Sequence, residues 1–263
     1  MKRQCKRGEA MNFTALKNPG LPQSKVCHAA ISDYSPQAVK KLIGLGIEPI
    51  ITIPSRNLDK RVAFHTDMLV FGFAKGEIFL DISQIDNLVK FLTIGYSIKY
   101  IDDIVSSPYP NDSLLNAVML KDKLLCNPKT VSEEVIGKAH KDNIKVLCTN
   151  QGYTKCSICL VNQNAIITDD ESIYALANQN EINCILVSKG SVKLDGFDYG
   201  FIGGCCGLID ADKLFFNGDI NMHSDCNKIT DFLSKHNVEP VIIENQPLTD
   251  IGGIIPLTEL KHI

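Results

Sequence analysis

The sequence lacks any apolar run long enough to cross a membrane. Its longest apolar stretches, such as residues 68–73 and 238–243, fall far short of the roughly 20 residues that span a bilayer. Basic residues stand among the first seven, but the apolar core of about 7 to 15 residues that completes a secretory signal does not follow them. We therefore expect neither a membrane partner nor secretion.

Basic patches and phosphate-binding loops are missing as well. No run of Lys and Arg recurs after the first few residues, the formal net charge is -3, and the pI is near 6.1. Nucleic acid is therefore not expected as the principal partner. No glycine-rich loop leads from a strand into a helix in the way that dinucleotide and phosphate sites require, so no cofactor is expected. A small molecule remains the expected ligand, and the oligomeric state stays open.

Cysteine, in contrast, is plentiful. Ten cysteines are spread through strand-like segments of a chain of 263 residues, 44% of which are hydrophobic and 22% charged. A chain of this size and composition can bury a full core without disulfide bonds. Free thiols in a reducing cytoplasm are therefore expected rather than a disulfide scaffold.

A repeated order of helix and strands runs along the chain. The first copy has a helix that starts at Ser35, with Pro36 in its first turn, and stops at Gly44-Leu45-Gly46. Strands are predicted after it over 47–53, 62–70 and 77–80. The same order recurs four more times, with helices predicted near 85–92, 131–140, 172–177 and 229–236.

The last copy lacks its closing strand, and the predicted strand at 25–31 could supply it. Such pairing would close the copies into a ring and remove exposed sheet edges. An open doubly wound sheet also fits the alternation of helices and strands. Residues 1–23 are expected to be a flexible N-terminal extension, and 24–263 a single domain.

Five short motifs add a family resemblance to this pattern. They are His65-Thr66-Asp67, Asn116-Ala117-Val118, residues 150–156 (NQGYTKC), residues 201–207 (FIGGCCG) and Asp250-Ile251-Gly252-Gly253. Together with the five-unit order, they resemble the pentein, or guanidino-group-modifying enzyme, superfamily, most closely a bacterial branch of unknown function. The resemblance covers the chain from about Lys25 to its end.

The resemblance implies an α/β fold, a five-bladed α/β-propeller with pseudo-fivefold strand-strand-strand-helix units around a central channel. The superfamily includes arginine and agmatine deiminases, dimethylarginine dimethylaminohydrolase and amidinotransferases. Its active members use a cysteine thiolate against a guanidinium carbon, with a histidine that handles protons and carboxylates that hold the planar cation.

The sequence departs from that pattern at the usual nucleophile position. The resemblance places this position at or near Pro256, and residues 252–257 contain no thiol. Equivalent strands of a ring face one channel, so the site could lie on other units. We predict Cys156 as nucleophile, His65 as proton carrier and Asp67 as orienting group or substrate anchor. His65 and Asp67 can face the channel together, because residues two apart on a strand share a face.

Further candidates for substrate binding lie in the matched motifs. A polar loop that enters a channel strand can hold a ligand, and a glycine pair lets a ligand approach the backbone. The predicted substrate-binding residues are Asn116, Asn150, Gln151, Tyr153, Gly203, Gly204, Cys205, Cys206 and Asp250. Cys205 and Cys206 are adjacent, so on a strand they would point to opposite faces.

Structural roles compete with each of these interpretations. Cys156 could be a small core residue, and His65 with Asp67 a polar pair that satisfies nearby backbone at a strand end. The Asn150 to Tyr153 segment could be a simple turn. Cys156 and Cys159 have the spacing of a zinc knuckle, but on a strand they face opposite sides, so no metal site is predicted. The second His-x-Asp, His223 to Asp225, suits a helix N-cap better than catalysis.

Two functions from different classes follow. The first is a cysteine-dependent hydrolase or amidinotransferase-like enzyme that acts on a small guanidine or amidine compound. It predicts one thiol that ionises well below the ordinary pKa of ~8.5. The second is a non-catalytic protein that binds a small ligand or a partner and keeps the fold without the usual nucleophile. It predicts saturable binding of a small cation without product.

Overall fold

A computed structural model describes residues 12–261 of the chain. The N-terminal part contains β1 (Phe13–Ala15), β2 (Val26–Ile31), α1 (Pro36–Gly44) and β3 (Glu48–Ile51). The next unit contains α2 (Thr66–Leu69), β4 (Val70–Phe73), β5 (Glu77–Leu80), a 3-10 turn (Ile82–Asn87), α3 (Leu88–Thr93) and β6 (Ser97–Tyr100).

The remaining elements repeat this order. They are β7 (Val118–Leu120), β8 (Lys123–Cys126), α4 (Glu133–Lys141), β9 (Lys145–Cys148), β10 (Ile158–Asn162), β11 (Ala165–Thr168), α5 (Glu171–Gln179) and β12 (Asn183–Leu186). After them come a 3-10 turn (Ile202–Cys205), β13 (Cys206–Asp210), β14 (Lys213–Phe216), α6 (Cys226–Lys235), β15 (Glu239–Val241) and β16 (Ile254–Leu260).

Five small sheets result from this order. Four of them have three strands, in which two antiparallel strands are followed by a helix and a third, parallel strand. The fifth sheet has the strand order β1-β16-β2-β3 and repeats the same pattern with β16, β2 and β3. The prediction of five similar α/β units is therefore confirmed.

The two ends of the chain meet in the fifth sheet. β16 pairs antiparallel with β2, with Ile254 opposite Ile31, as predicted for the strand that completes the last unit. It also pairs with β1, with Phe13 opposite Leu260. The predicted flexible extension is therefore wrong for residues 12–23, because β1 satisfies the second edge of β16 and Leu16 and Leu21 are buried. Residues 1–11 of that extension lie outside the described residues.

Helix starts follow from capping side chains. Ser35 accepts a hydrogen bond from the amide of Ala38, Ser132 from that of Val135, and Asp170 from those of Ser172 and Ile173. Each helix then turns a narrow apolar face, such as Ala38 and Leu42 of α1, toward its sheet. In four of the units the helix follows a strand that is buried over most of its length. These strands are β5, β8, β11 and β14.

Two predicted strands begin with helical turns instead. Residues 66–69 form α2, with His65 at its N-cap, and residues 202–205 form a 3-10 turn before β13. The alternation argument for His65 and Asp67 is therefore wrong. Tertiary contacts set these turns, because the amide of Asp67 donates to the carbonyl of Gly252 over 2.9 Å, which holds the first turn against the last unit.

The 3-10 turn also changes the expected directions of two thiols. Cys205 and Cys206 were expected to point to opposite faces, but both donate to the carbonyl of Ile202, over 3.1 and 3.3 Å. Asp225 is the N-cap residue of α6, as predicted, although its side chain makes no capping hydrogen bond, and its amide donates to His223 Nδ1 over 2.9 Å.

Candidate active site

Four predicted residues line one cavity of ≈ 470 Å³: His65, Tyr153, Cys156 and Asp250. His65 comes from the turn before α2, Cys156 from the turn before β10, and Asp250 from the segment before β16. Aromatic side chains form much of the wall, namely Tyr109, Tyr153, Tyr199, Phe197 and Phe201. Loops of different units thus supply a thiol, an imidazole and a carboxylate to one concave space.

Asn116 holds the Cys156 turn in place. Its Oδ1 accepts from the amides of Lys155, over 2.7 Å, and Cys156, over 3.3 Å. Its Nδ2 donates to the Cys156 Sγ over 3.1 Å and to the carbonyl of Asp67 over 3.2 Å. Asn116 is fully buried, so it positions the thiol from behind rather than facing the cavity.

The surroundings of the Cys156 thiol favour its neutral form. Burial raises the pKa of Cys156 well above its usual range, and the carboxylates of Asp67 and Asp250 raise it further, while the Asn116 hydrogen bond lowers it. This shift is opposite to the one expected for a thiol that ionises unusually easily.

Asp67 lies beside the thiol, within the protein. Only 1% of the residue is exposed, and neither of its carboxylate oxygens has a hydrogen-bond partner of good geometry among the described residues. Burial raises the pKa of Asp67, and the neighbouring Asp250 adds to this rise, whereas His65 and Lys155 oppose it. A buried carboxyl with unsatisfied oxygens is costly, and a donor or cation that reached it would relieve that cost.

Asp250 connects the histidine to the backbone of two other segments. Its Oδ1 lies 3.7 Å from His65 Nδ1 and accepts from the amide of Gly252 over 3.0 Å. Its Oδ2 accepts from the amide of Phe201 over 3.0 Å. The Nε2 of His65 is buried and has no partner among the described residues. The imidazole is therefore oriented at one nitrogen, and its second nitrogen remains available.

The glycine pair has a different role from the predicted one. A Cβ on Gly204 would lie 2.0 Å from Asp250 Oδ1, and a Cβ on Gly203 would lie 2.3 Å from the carbonyl oxygen of Ile158. The protein's own groups therefore fill the space that was expected to admit a ligand. Gly204 leaves room for the Asp250 carboxylate, and the glycine pair affects the cavity in this way.

Asn150 and Gln151 line a neighbouring cleft of ≈ 890 Å³. Tyr109 and Tyr153 border both spaces, so their rings form the partition between them, with centroids 5.6 Å apart. Asp169 lies at the base of this cleft, 4% exposed, and its Oδ2 accepts from the amide of Ile202 over 3.1 Å. Of the predicted substrate residues, Asn150 and Gln151 thus line this cleft, Asp250 lines the cavity, and Tyr153 lines both.

Cys205 and Cys206 are buried and lie away from this cavity. Cys159 points to Cys206, and its hydrogen bond with that thiol together with burial raises the pKa of Cys159 well above its usual range. Cys156 and Cys159 therefore do not converge on one point. Within residues 12–261, no group of three or more His, Cys, Asp or Glu side chains could hold a metal ion.

Several wall residues were not predicted from the sequence. Tyr153 donates to Asp112 Oδ2 over 2.9 Å, and the other oxygen of Asp112 is buried without a partner in the described part of the chain. At the mouth, the Arg61 guanidinium lies 4.1 Å from the centre of the Phe197 ring and donates to the carbonyl of Gly196 over 2.7 Å. Asp112, Arg61 and Phe197 lie in loops with no motif, so no sequence signal distinguishes them.

Comparisons with known proteins agree with this architecture. Residues 30–255 match the model of a family of unknown function (DUF6873). No curated protein matches the sequence. In the part of the chain that the structure describes, no helix is long and apolar enough to cross a membrane.

Three solved structures illustrate the likeness in fold. SxtG, an amidinotransferase from Microseira wollei in the saxitoxin biosynthetic pathway, has a TM-score of 0.57 at 6% identity, over 88% of this chain and 92% of its own. Agmatine deiminase of C. jejuni has a TM-score of 0.55 at 11% identity, over 98% and 100%. An inosamine-phosphate amidinotransferase from Streptomyces griseus has a TM-score of 0.56 at 9% identity, over 95% and 98%.

Proposed function

We propose that this chain, which belongs to the family of unknown function DUF6873 and has the pentein fold, is a cysteine-dependent enzyme that acts on a small guanidine or amidine compound. The observation that carries the proposal is the convergence of Cys156, His65 and Asp250 on one cavity, with the unsatisfied Asp67 carboxyl beside the thiol. The reaction is hydrolysis or amidino transfer. A thiol, an imidazole and carboxyls that meet in one cleft are typical of an active site.

The charge of the site favours a planar cation. Asp250, Asp112 and Asp198 line the cavity, and the aromatic walls offer ring faces to a delocalised cation. A guanidinium has five or more N–H donors in one plane, which suits carboxylate oxygens that lack partners. The cation also offsets the negative charge of Asp67 and Asp250, which are two of the causes that raise the pKa of Cys156. Binding of the substrate therefore promotes formation of the thiolate.

The chemistry then proceeds in two steps. The thiolate sulfur forms a bond to the central carbon of the guanidinium while one C–N bond breaks, and the departing amine takes up the proton that Cys156 released through His65. In the second step, water or a second amine attacks the same carbon, the C–S bond breaks, and the thiol regains a proton. Asp250 orients the His65 ring throughout, since it holds Nδ1.

We further propose that the five sheets surround one axis as the blades of a closed propeller. The innermost strands β4, β7, β10, β13 and β16 all contribute to one small central cavity of ≈ 40 Å³, which supports this arrangement. Pro19 and Gly20 also line that cavity. Pro256, at the usual nucleophile position, faces it too and offers no reactive group.

A second candidate function is non-catalytic binding of a small cation. The raised pKa of Cys156 favours it, because a neutral thiol is a weak nucleophile. In that case the aromatic and acidic cavity binds a guanidinium or amine ligand and releases it unchanged.

The test uses a panel of guanidino compounds, namely arginine, agmatine, guanidinoacetate and methylguanidine. We expect the wild-type chain to consume one of them and, when the reaction is quenched with acid, to carry one amidino group on Cys156 by peptide mass spectrometry. Cys156→Ala should lose turnover by roughly 10⁶-fold, as removal of a nucleophile does in other enzymes.

Cys159→Ala is the matched control, because it removes a buried thiol three residues away that points to Cys206. It should keep both the adduct and the turnover. Full activity in Cys156→Ala contradicts the catalytic assignment. Saturable binding without product or adduct in the wild type favours the second candidate.

A further inference from the structure

The helical segment that runs from Ile82 to Thr93 carries an apolar stripe on its outer side. The stripe consists of Ile82, Ile85, Val89 and Leu92, which are 54%, 49%, 70% and 53% exposed. These side chains project from the 3-10 turn and α3, away from the buried Phe91 that packs inward. Contiguous exposed apolar side chains of this kind mark an interaction surface more often than isolated ones do.

The helices α1, α4, α5 and α6 provide an internal comparison, because each occupies the same place in its own unit. Their exposed positions are polar, charged or small, as in Lys40 and Lys41 of α1 or Glu171 and Gln179 of α5. Among these four helices, all within the described residues, Ile43 is the one large apolar side chain that is exposed. The stripe is therefore a property of one unit and is not required by the repeated fold.

The spacing of the stripe is symmetric. Its members are three, four and three residues apart, so the stripe reads the same in both directions about Asn87. A two-fold axis near Asn87 would place Ile82 opposite Leu92 of a second copy, and Ile85 opposite its Val89. We propose that this stripe is the centre of a homodimer contact in which two copies of the segment pack antiparallel, in the self-complementary manner of two-fold interfaces.

The charges beside the stripe fit the same arrangement. Asp86 and Lys90 are both exposed and lie four residues apart. The midpoint between Asp86 and Lys90 lies one residue from Asn87, the centre of the stripe. The antiparallel arrangement therefore brings each Asp86 close to Lys90 of the second copy. Opposite charges at the edge of an apolar contact set its register and orientation. In a parallel two-fold arrangement the charged flanks of the two copies would lie on opposite sides of the stripe, so Asp86 and Lys90 could not pair between copies.

The size of the contact sets its strength. The segment has 12 residues and is about 20 Å long, and four apolar side chains form only the centre of an interface that typically buries about 800 Å² on each partner. A dimer with a Kd on the order of 10 µM is therefore expected rather than a permanent assembly. This contact does not depend on the activity of the cavity.

Sedimentation equilibrium of the full chain from low to high micromolar concentration tests the proposal. The wild type should show a monomer–dimer equilibrium, and Val89→Lys should raise the Kd at least tenfold, since it places a charge at the centre of the contact. Ile43→Lys, at a 57% exposed position on α1, is the matched control and should leave the Kd unchanged.

Charge reversal tests the antiparallel register. D86K should weaken the dimer, and the double variant D86K/K90D should restore it, because opposite charges again face each other. Circular dichroism and urea unfolding confirm that each variant is folded. A wild type that stays monomeric overturns the proposal, as does a dimer that survives Val89→Lys or is lost equally in Ile43→Lys.

Discussion

At the scale of single residues, two neighbouring carboxyls show how local contacts decide ionisation. Burial raises the pKa of Asp169 to about 7, although the Ile202 amide and Lys189 lower it. Asp170, the next residue, is also partly buried, but hydrogen bonds from Ser172, Ile173 and Gln151 outweigh burial and lower its pKa. Asp169 therefore favours the protonated form on folding, and Asp170 favours the charged form.

The two residues should affect stability in opposite directions as pH changes. The folded-state pKa of Asp169 lies above the unfolded value near 3.8, so its favourable contribution is present at lower pH and is lost as pH rises through about 7. Asp169→Asn should remove this loss of stability with rising pH, which amounts to roughly 4 kcal/mol. Asp170→Asn should instead remove a loss of stability that occurs as pH falls below 4. Urea unfolding from pH 3 to 9 measures both, and an unchanged slope between about pH 4 and 7 in Asp169→Asn contradicts the assignment.

At the scale of elements, the connection that leads into β16 places the histidine and its carboxylate together. Gly252 has φ +78°, and a Cβ there would lie 2.4 Å from the Cα of His65. The carbonyl of Gly252 also accepts from the amide of Asp67, as described above. One turn between β15 and β16 therefore supports both the first helical turn, α2, and the loop that holds Asp250.

Substitution of Gly252 by alanine should destabilise the protein through both backbone strain and this close contact. Gly190 is the matched control, because its φ is +90° and no atom lies within 4 Å of an added Cβ. Gly190→Ala should cost about 1 kcal/mol from the left-handed backbone alone. Gly252→Ala should cost at least about 3 kcal/mol, since the neighbouring backbone must also move. Urea unfolding measures the free energy of unfolding of both variants. Equal losses would show that the close contact between position 252 and His65 is unimportant.

At the scale of the whole molecule, the proposed ring would close through the strand from the C-terminal end of the chain. β16 lies between β1 and β2, and the amide of Lys261 donates to the carbonyl of Asn12 over 3.1 Å. The two ends of the described chain are therefore adjacent. If the units form a ring, the position of the chain break is arbitrary and any exposed loop between units can replace it.

A circular permutant tests this closure. Residues 12–261 are joined by a short glycine linker and opened between Asp103 and Ile104, which are both exposed and lie outside the regular elements. The permutant should unfold cooperatively in urea with a loss of no more than about 2 kcal/mol, because loop closure costs change little with length. Its control is a chain that ends at residue 253, which lacks β16 and should lose cooperative unfolding. A cooperative transition in that truncated chain would contradict the ring.

Much of the fold could be predicted from the sequence because its signals are local. The start of α1 follows from Ser35 and Pro36, and strands such as β5, β8 and β11 have the predicted bounds, since capping and apolar runs act within a few residues. The motifs also predicted Cys156, His65 and Asp67 as catalytic and Asp250 as substrate-binding, and three of these, His65, Cys156 and Asp250, line one cavity. Periodicity could not distinguish a strand from the turns at 66–69 and 202–205, because contacts with distant units hold those turns.

The sequence by itself therefore determined the five units, their order and the side chains available for chemistry. Only the tertiary structure decided which of these side chains meet. Asn116 positions Cys156 from another unit, Gly204 makes room for Asp250, and burial beside two carboxyls keeps the Cys156 thiol neutral. The physical reason is that capping and periodicity depend on neighbours along the chain, whereas burial and electrostatic fields depend on residues that are distant in sequence.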